Sequence, residues 1–168
     1  MLKLHRAEDR PTKMASKEQF TGDVFQDPVL VGEAPSRMRA TNVTFSPGAR
    51  TDWHQHPVGQ TLWAVAGVGR VQVEGEPVRE LRPGDTAIIP PNTRHWHGAA
   101  PDRIFTHLAM SETGEDGSGT AWFEKVSDLH LTEHLPLEIT PQKSCIFILI
   151  PLFTPLITPL VPRKLMNS

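Results

Sequence analysis

The chain has 168 residues with a formal net charge of −2. That length supports one domain with a real core and is short for two, and the near-neutral balance excludes the electrostatic footprint of a nucleic-acid binder. One cysteine, Cys145, excludes an internal disulfide and fits a reducing, cytoplasmic setting.

The first residues, MLKLHRAEDRPTKM, are charged and polar without the apolar stretch of a secretory signal, and 1–19 reads as an N-terminal extension that has either Met1 or Met14 as its start. Sixteen prolines and twelve glycines punctuate the chain into short segments, the pattern of an all-β sandwich or barrel. The first clear strand spans 38–45 and ends at Ser46-Pro47-Gly48, a turn sequence. A second covers 51–56 and closes at Pro57-Val58-Gly59. The run 60–66 (QTLWAVA) is apolar on both faces and is expected to be buried between two sheets. Gly67-Val68-Gly69 turns the chain into 70–74 (RVQVE), which alternates as a half-exposed strand should.

Strands follow at 78–81 and 86–89, joined by Arg82-Pro83-Gly84-Asp85, where proline and glycine stand as a type I or II turn requires. Beyond the rigid Pro90-Pro91-Asn92-Thr93 loop, strands are expected at 95–97, 103–110 and 121–126, and Ser127-Asp128 is placed to cap a short helix through about His134. The principal domain is therefore 20–134, with a C-terminal tail at 135–168. Within the tail, 145–162 (CIFILIPLFTPLITPLVP) approaches the length of a membrane span. Its four prolines would break the helical hydrogen bonding that a span needs, so an irregular apolar tail is expected and a membrane partner is not.

Five of the eight histidines fall between His54 and His107. His54 and His56 are two apart on one expected strand and share a face. Gln60 lies just across the following turn, and His95 arrives from a distant strand, as closure of a barrel allows. Three imidazoles and an amide oxygen suit one divalent first-row ion. Four protein ligands on an ion that favours six leave two positions for water or substrate, the layout of a catalytic site. His97, two beyond His95, is expected to face the same interior. His107 sits in the apolar run IFTHLAM and is either a satisfied core histidine or, if it faces the barrel, a base. Trp53, Trp63 and Trp96 alternate out of phase with the histidines and read as packing between sheets or at a dimer face.

Gly48-x5-His54-x-His56-x3-Gln60-x6-Gly67, then Gly84-x5-Pro90 and His95, resembles the paired motifs of the cupins over about 20–131. Two departures stand out. Gln60 occupies a position where many cupins have Glu, and Asn92 replaces a motif glycine, a change that its tolerance of left-handed backbone accommodates. The resemblance implies a double-stranded β-helix, or jelly-roll barrel, and pairing into a homodimer. The runs PGARTDWHQHPVGQTL, RHWHGAAP and FTHLAM are more narrowly similar to manganese-dependent hydroxynitrile lyase cupins. That similarity implies metal ligands at His54, His56, Gln60 and His95, catalytic histidines at His97 and His107, and a substrate pocket shaped by Thr41, Val43 and Ser111.

It also implies Mn2+ as the cofactor, whereas the donor set by itself accepts Fe2+, Ni2+, Co2+ or Zn2+ as well. Because Gln60 is neutral the ion would keep its full charge, which favours Lewis-acid chemistry over oxygen activation. The expected function is cleavage or formation of small α-hydroxynitriles. A cupin dioxygenase, isomerase or sugar-acid-processing enzyme, and a non-catalytic ligand-binding cupin, are the alternatives.

Overall fold

The computed structural model describes residues 2–132; the apolar run 145–162 and the last residues of the expected helix lie outside them. After a 3-10 turn at Ala7–Asp9, the N-terminal strands are β1 (Lys13–Met14), β2 (Phe20–Thr21), β3 (Val24–Val31) and β4 (Met38–Phe45). Next come β5 (Arg50–Thr51), β6 (His54–Gln55), β7 (Gln60–Gly67), β8 (Gly69–Val73) and β9 (Arg79–Leu81). The series closes with β10 (Thr86–Ile89), β11 (His95–Ala99), β12 (Phe105–Glu112), β13 (Ala121–Trp122) and the helix α1 (Asp128–Thr132). Among the described residues no helix is long and apolar enough to cross a membrane.

Two antiparallel sheets face each other. One runs β1-β3-β4-β12-β7-β10, and the other runs β13-β6-β11-β5-β2 with β8 and β9 on the far side of β11. Alternation sends every second side chain inward, where Phe20, Val24, Val43, Phe45, Leu62, Ala64, Val71 and Phe105 form one core. Phe45, Leu62 and Phe105 are fully buried, and burying each stabilises the fold by roughly 1.5–3 kcal/mol.

Several sequence expectations are corrected. The stretch 51–56 is not one strand, because its centre leaves the β11 ladder: the Asp52 N–H donates to the Gln19 carbonyl, and Trp53 exchanges bonds with Phe123 and Glu124. That exchange also ends the last strand at Trp122 rather than 126. The run 60–66 is not buried on both faces, since Trp63 and Val65 are 47% and 43% exposed on the outer side of their sheet. Trp53 and Trp96 do not pack between the sheets. They form a second cluster with Val78, Val126 and Leu131, outside the β11 sheet. Arg50 pins that cover in place, donating to the Val126 carbonyl and pairing with Asp128 at 2.6 Å.

Two turns aim the site. Gly59 has φ of +89°, and a Cβ there would lie 2.5 Å from the Ile89 carbonyl oxygen, so only glycine lets the chain reverse between His56 and Gln60. Asn92 takes φ of +54°, as its place in the motif anticipates, and its N–H donates to the His56 carbonyl at 2.8 Å. The loops carrying His56 and His95 are thereby joined.

Candidate metal and catalytic site

His54 and His95 are directly opposed across β6 and β11, and their rings lie 4.2 Å apart. Each ring is held from behind by a backbone carbonyl two residues earlier, His54 Nδ1 to Asp52 O at 2.9 Å and His95 Nδ1 to Thr93 O at 2.8 Å. A carbonyl only accepts, so both rings carry their proton on Nδ1 and turn the Nε2 lone pair inward, the tautomer a metal ligand needs. Asp52 is itself anchored by Lys125 at 3.1 Å.

His56 lies 5.3 Å from His54 and 5.9 Å from His95, ring to ring. Its Nδ1 meets the Thr120 hydroxyl at 3.3 Å, while its Nε2 is buried without a hydrogen-bond partner. Gln60 presents Oε1 at 3.0 Å from His95 Nε2. Two lone-pair atoms facing each other at that distance repel unless a cation lies between them. It is also the separation of two adjacent ligands on an ion with bonds of about 2.1 Å at right angles. The orphaned His56 nitrogen and this acceptor–acceptor contact both fit a bound divalent ion.

His54, His95 and His97 also form a group, with ring nitrogens within 4.8 Å of one another, that could hold a metal. His97 differs from the others in having its Nδ1 engaged by His107 Nε2 at 3.2 Å. A single hydrogen occupies that contact and can reside on either ring, so the pair offers the cavity a donor or a lone pair at the other nitrogen of His97. His107 is completely buried against Phe45 and Phe105, with ring separations of 5.6 and 5.3 Å, and its Nδ1 has no partner. The Thr51 hydroxyl accepts the His97 backbone N–H at 3.1 Å and fixes the strand there.

Burial lowers the pKa of all five histidines. His56 falls to about 4, chiefly through burial and then through the neighbouring His95, and His107 falls to about 3 through burial alone. His54 and His97 are driven well below the usual range by burial and then by their histidine neighbours. In His95 burial outweighs the opposing bond to Thr93. All are therefore neutral near pH 7 and free to act as ligands or bases.

The unfolded chain takes up these protons near pH 6.5 and the folded chain does not. The associated stability is thus present above about pH 6.5 and is lost as pH falls towards 4 and 3. His56 and His107 each contribute ~1.4 kcal/mol per pH unit in that window. Urea unfolding of the chelated protein is expected to show a loss of about 4 kcal/mol between pH 7.5 and 5 from these two alone. A flat profile would mean that the rings are not buried in neutral form.

A cavity of about 180 Å³ opens beside the cluster, lined by His54, His56, Gln60 and His97 on the histidine side. Thr41, Val43 and Ser111, expected from the sequence to shape a pocket, lie on its wall with Ala109. His107 does not line it and stands behind His97. Phe20, Gln26, Arg39, Thr51, Thr120 and Trp122, which stand outside the sequence motifs' expected pocket, complete the wall. For Arg39 a signal existed, since it shares strand parity with Thr41 and Val43 on β4. Phe20 and Gln26 come from strands upstream of the motifs and gave no such signal.

Residues 41–108 match the model of the cupin domain family. Over 127 residues the chain is 42% identical to an (R)-mandelonitrile lyase from Granulicella tundricola, a match covering 76% of this chain and 96% of that protein. Among solved structures it is similar to a cupin-like protein from Thermotoga maritima, at 38% identity and a TM-score of 0.66, covering 70% of this chain and 89% of that one. A polyketide cyclase from Streptomyces resistomycificus shares the fold at 15% identity and a TM-score of 0.62, covering 77% of this chain and 91% of the cyclase.

Proposed function

Because the chain belongs to the cupin family as a small single-domain member, we propose that it is a metal-dependent lyase that cleaves, and in reverse forms, small α-hydroxynitriles. His54, His56, Gln60 and His95 hold one divalent ion, manganese in preference to iron, nickel, cobalt or zinc. When bound, the ion supplies a Lewis acid whose charge the four neutral ligands leave undiminished.

His97 is the group that exchanges a proton with the substrate. In the cleavage direction its cavity-facing nitrogen takes the hydroxyl hydrogen while the carbon–carbon bond breaks, its electron pair leaving with cyanide and the oxygen closing to an aldehyde. The same nitrogen then returns the proton to cyanide. During that interval the Nδ1–H of His97 points to His107 Nε2, which steadies the transient imidazolium in a site where burial disfavours charge. Because its pKa is depressed, His97 releases the proton readily. Thr41, Val43 and Ser111 bound the space left for the substituent on the reacting carbon.

What carries the assignment is the His97–His107 contact beside a wholly neutral donor set, in a chain 42% identical to a mandelonitrile lyase. The test is benzaldehyde release from mandelonitrile by the manganese-loaded protein. Activity that disappears with chelator and returns with Mn2+ supports the assignment. A fully metal-loaded protein that releases no benzaldehyde above background would overturn the lyase assignment and leave the metal site standing.

A further inference from the structure

We propose that the α-hydroxynitrile this cavity accepts is an organic anion, one that also carries a carboxylate gripped at the barrel mouth by Arg39. The inference rests on the metal-site reading above and adds to it the substrate class. Arg39 is the one cationic side chain on the cavity wall among the described residues, and no Asp or Glu lines that wall. It forms no ion pair and no hydrogen bond among the described residues. The neighbouring acids Glu112 and Glu115 are both taken by Arg37, at 3.6 and 3.5 Å. Neither the histidines that face the cavity nor Gln60 carries a negative charge. The positive charge at the mouth therefore has no internal counterpart, and a bound divalent ion would only add to it.

The register places this charge usefully. Ser111 on β12 is opposite Arg39 on β4 and opposite Gln60 on β7, so the three residues form one row across adjacent strands. Strands lie about 4.8 Å apart, which separates the Arg39 and Gln60 backbones by about 10 Å. A small molecule can lie across that row with its reacting end at the histidines and its far end at the guanidinium. Gln26, Thr41 and Ser111 line the same wall and make no side-chain hydrogen bond within the described residues, so their polar groups are available to the same ligand. A single planar fork flanked by hydroxyl and amide groups matches a carboxylate, which it can bind through two parallel hydrogen bonds.

The test compares two probes of equal shape, 3-(hydroxymethyl)benzoate and the neutral 3-(hydroxymethyl)benzamide, by calorimetry on the full chain, both chelator-treated and manganese-loaded. The wild type is expected to bind the benzoate about 10-fold more tightly than the amide in both forms. Arg39→Gln should abolish that preference, and Arg39→Lys should keep part of it. Equal binding of the two probes by the wild type would overturn the proposal. So would a preference that survives in Arg39→Gln, since the ion and not the arginine would then be reading the charge. Binding is measured without turnover, so failure here leaves the mandelonitrile result to stand or fall separately.

Discussion

Replacing His97 with Gln is expected to reduce the rate of mandelonitrile cleavage by roughly 10²- to 10⁴-fold while leaving the metal content unchanged. Gln keeps a polar group on the cavity wall and can still engage His107, so the packing against Phe45 at 5.8 Å is disturbed little. What it cannot do is accept and return a proton. His107→Phe should behave differently, because His107 is buried behind His97 and not on the wall. Its effect on catalysis passes through orientation of His97, and supporting partners of this kind are worth ~10–100-fold. Rates measured against pH would separate the two. The His107→Phe profile should shift as His97 loses its acceptor, whereas His97→Gln should leave a low, pH-insensitive rate. Equal, total loss in both variants together with loss of metal would place the pair inside the coordination sphere.

The second large effect is expected at His95. It is fully buried, it opposes His54 in register, and it faces Gln60 at 3.0 Å, so two of the other proposed ligands depend on it for their placement. His95→Ala should abolish metal binding and with it all lyase activity. It should also remove the stabilisation that the ion gives the fold, which for a metal present at 100 times its dissociation constant is about 2.7 kcal/mol. For a domain of this size that corresponds to a fall of ~10 °C in the metal-dependent part of Tm. Thermal melts with and without Mn2+ would show a large shift for the wild type, a similar one for His97→Gln, and none for His95→Ala. A metal-dependent shift that persists in His95→Ala would remove His95 from the site.

Much of the fold was legible because its signals are local. The Pro-Gly punctuation at 46–48 and 82–85 marks turns, and the short apolar run 86–89 between two such loops reads as a strand, which the structure reproduces residue for residue. That His54, His56 and His95 come together was legible for the same reason, since His54 and His56 are close in sequence and His95 follows a rigid loop. Other features depend on what packs against them. β3 contains Asp27 and Pro28 and does not read as a strand until β4 pairs with it. Trp63 lies in a run as apolar as a buried strand, and only the sheet order shows that its face turns outward. The His97–His107 contact joins β11 and β12, which belong to different sheets, so no spacing in the chain encodes it. Arg39 has the composition of a surface charge and gains meaning from the cavity it edges.

Pulsed EPR on the manganese-loaded protein, counting the histidine nitrogens coupled to the ion, tests the central claim most directly. The ligand set His54, His56, Gln60 and His95 predicts three coupled nitrogens in the wild type, three in His97→Gln, and two in His56→Ala. Loss of a nitrogen in His97→Gln with none lost in His56→Ala would contradict it, and would assign the ion instead to the group of His54, His95 and His97.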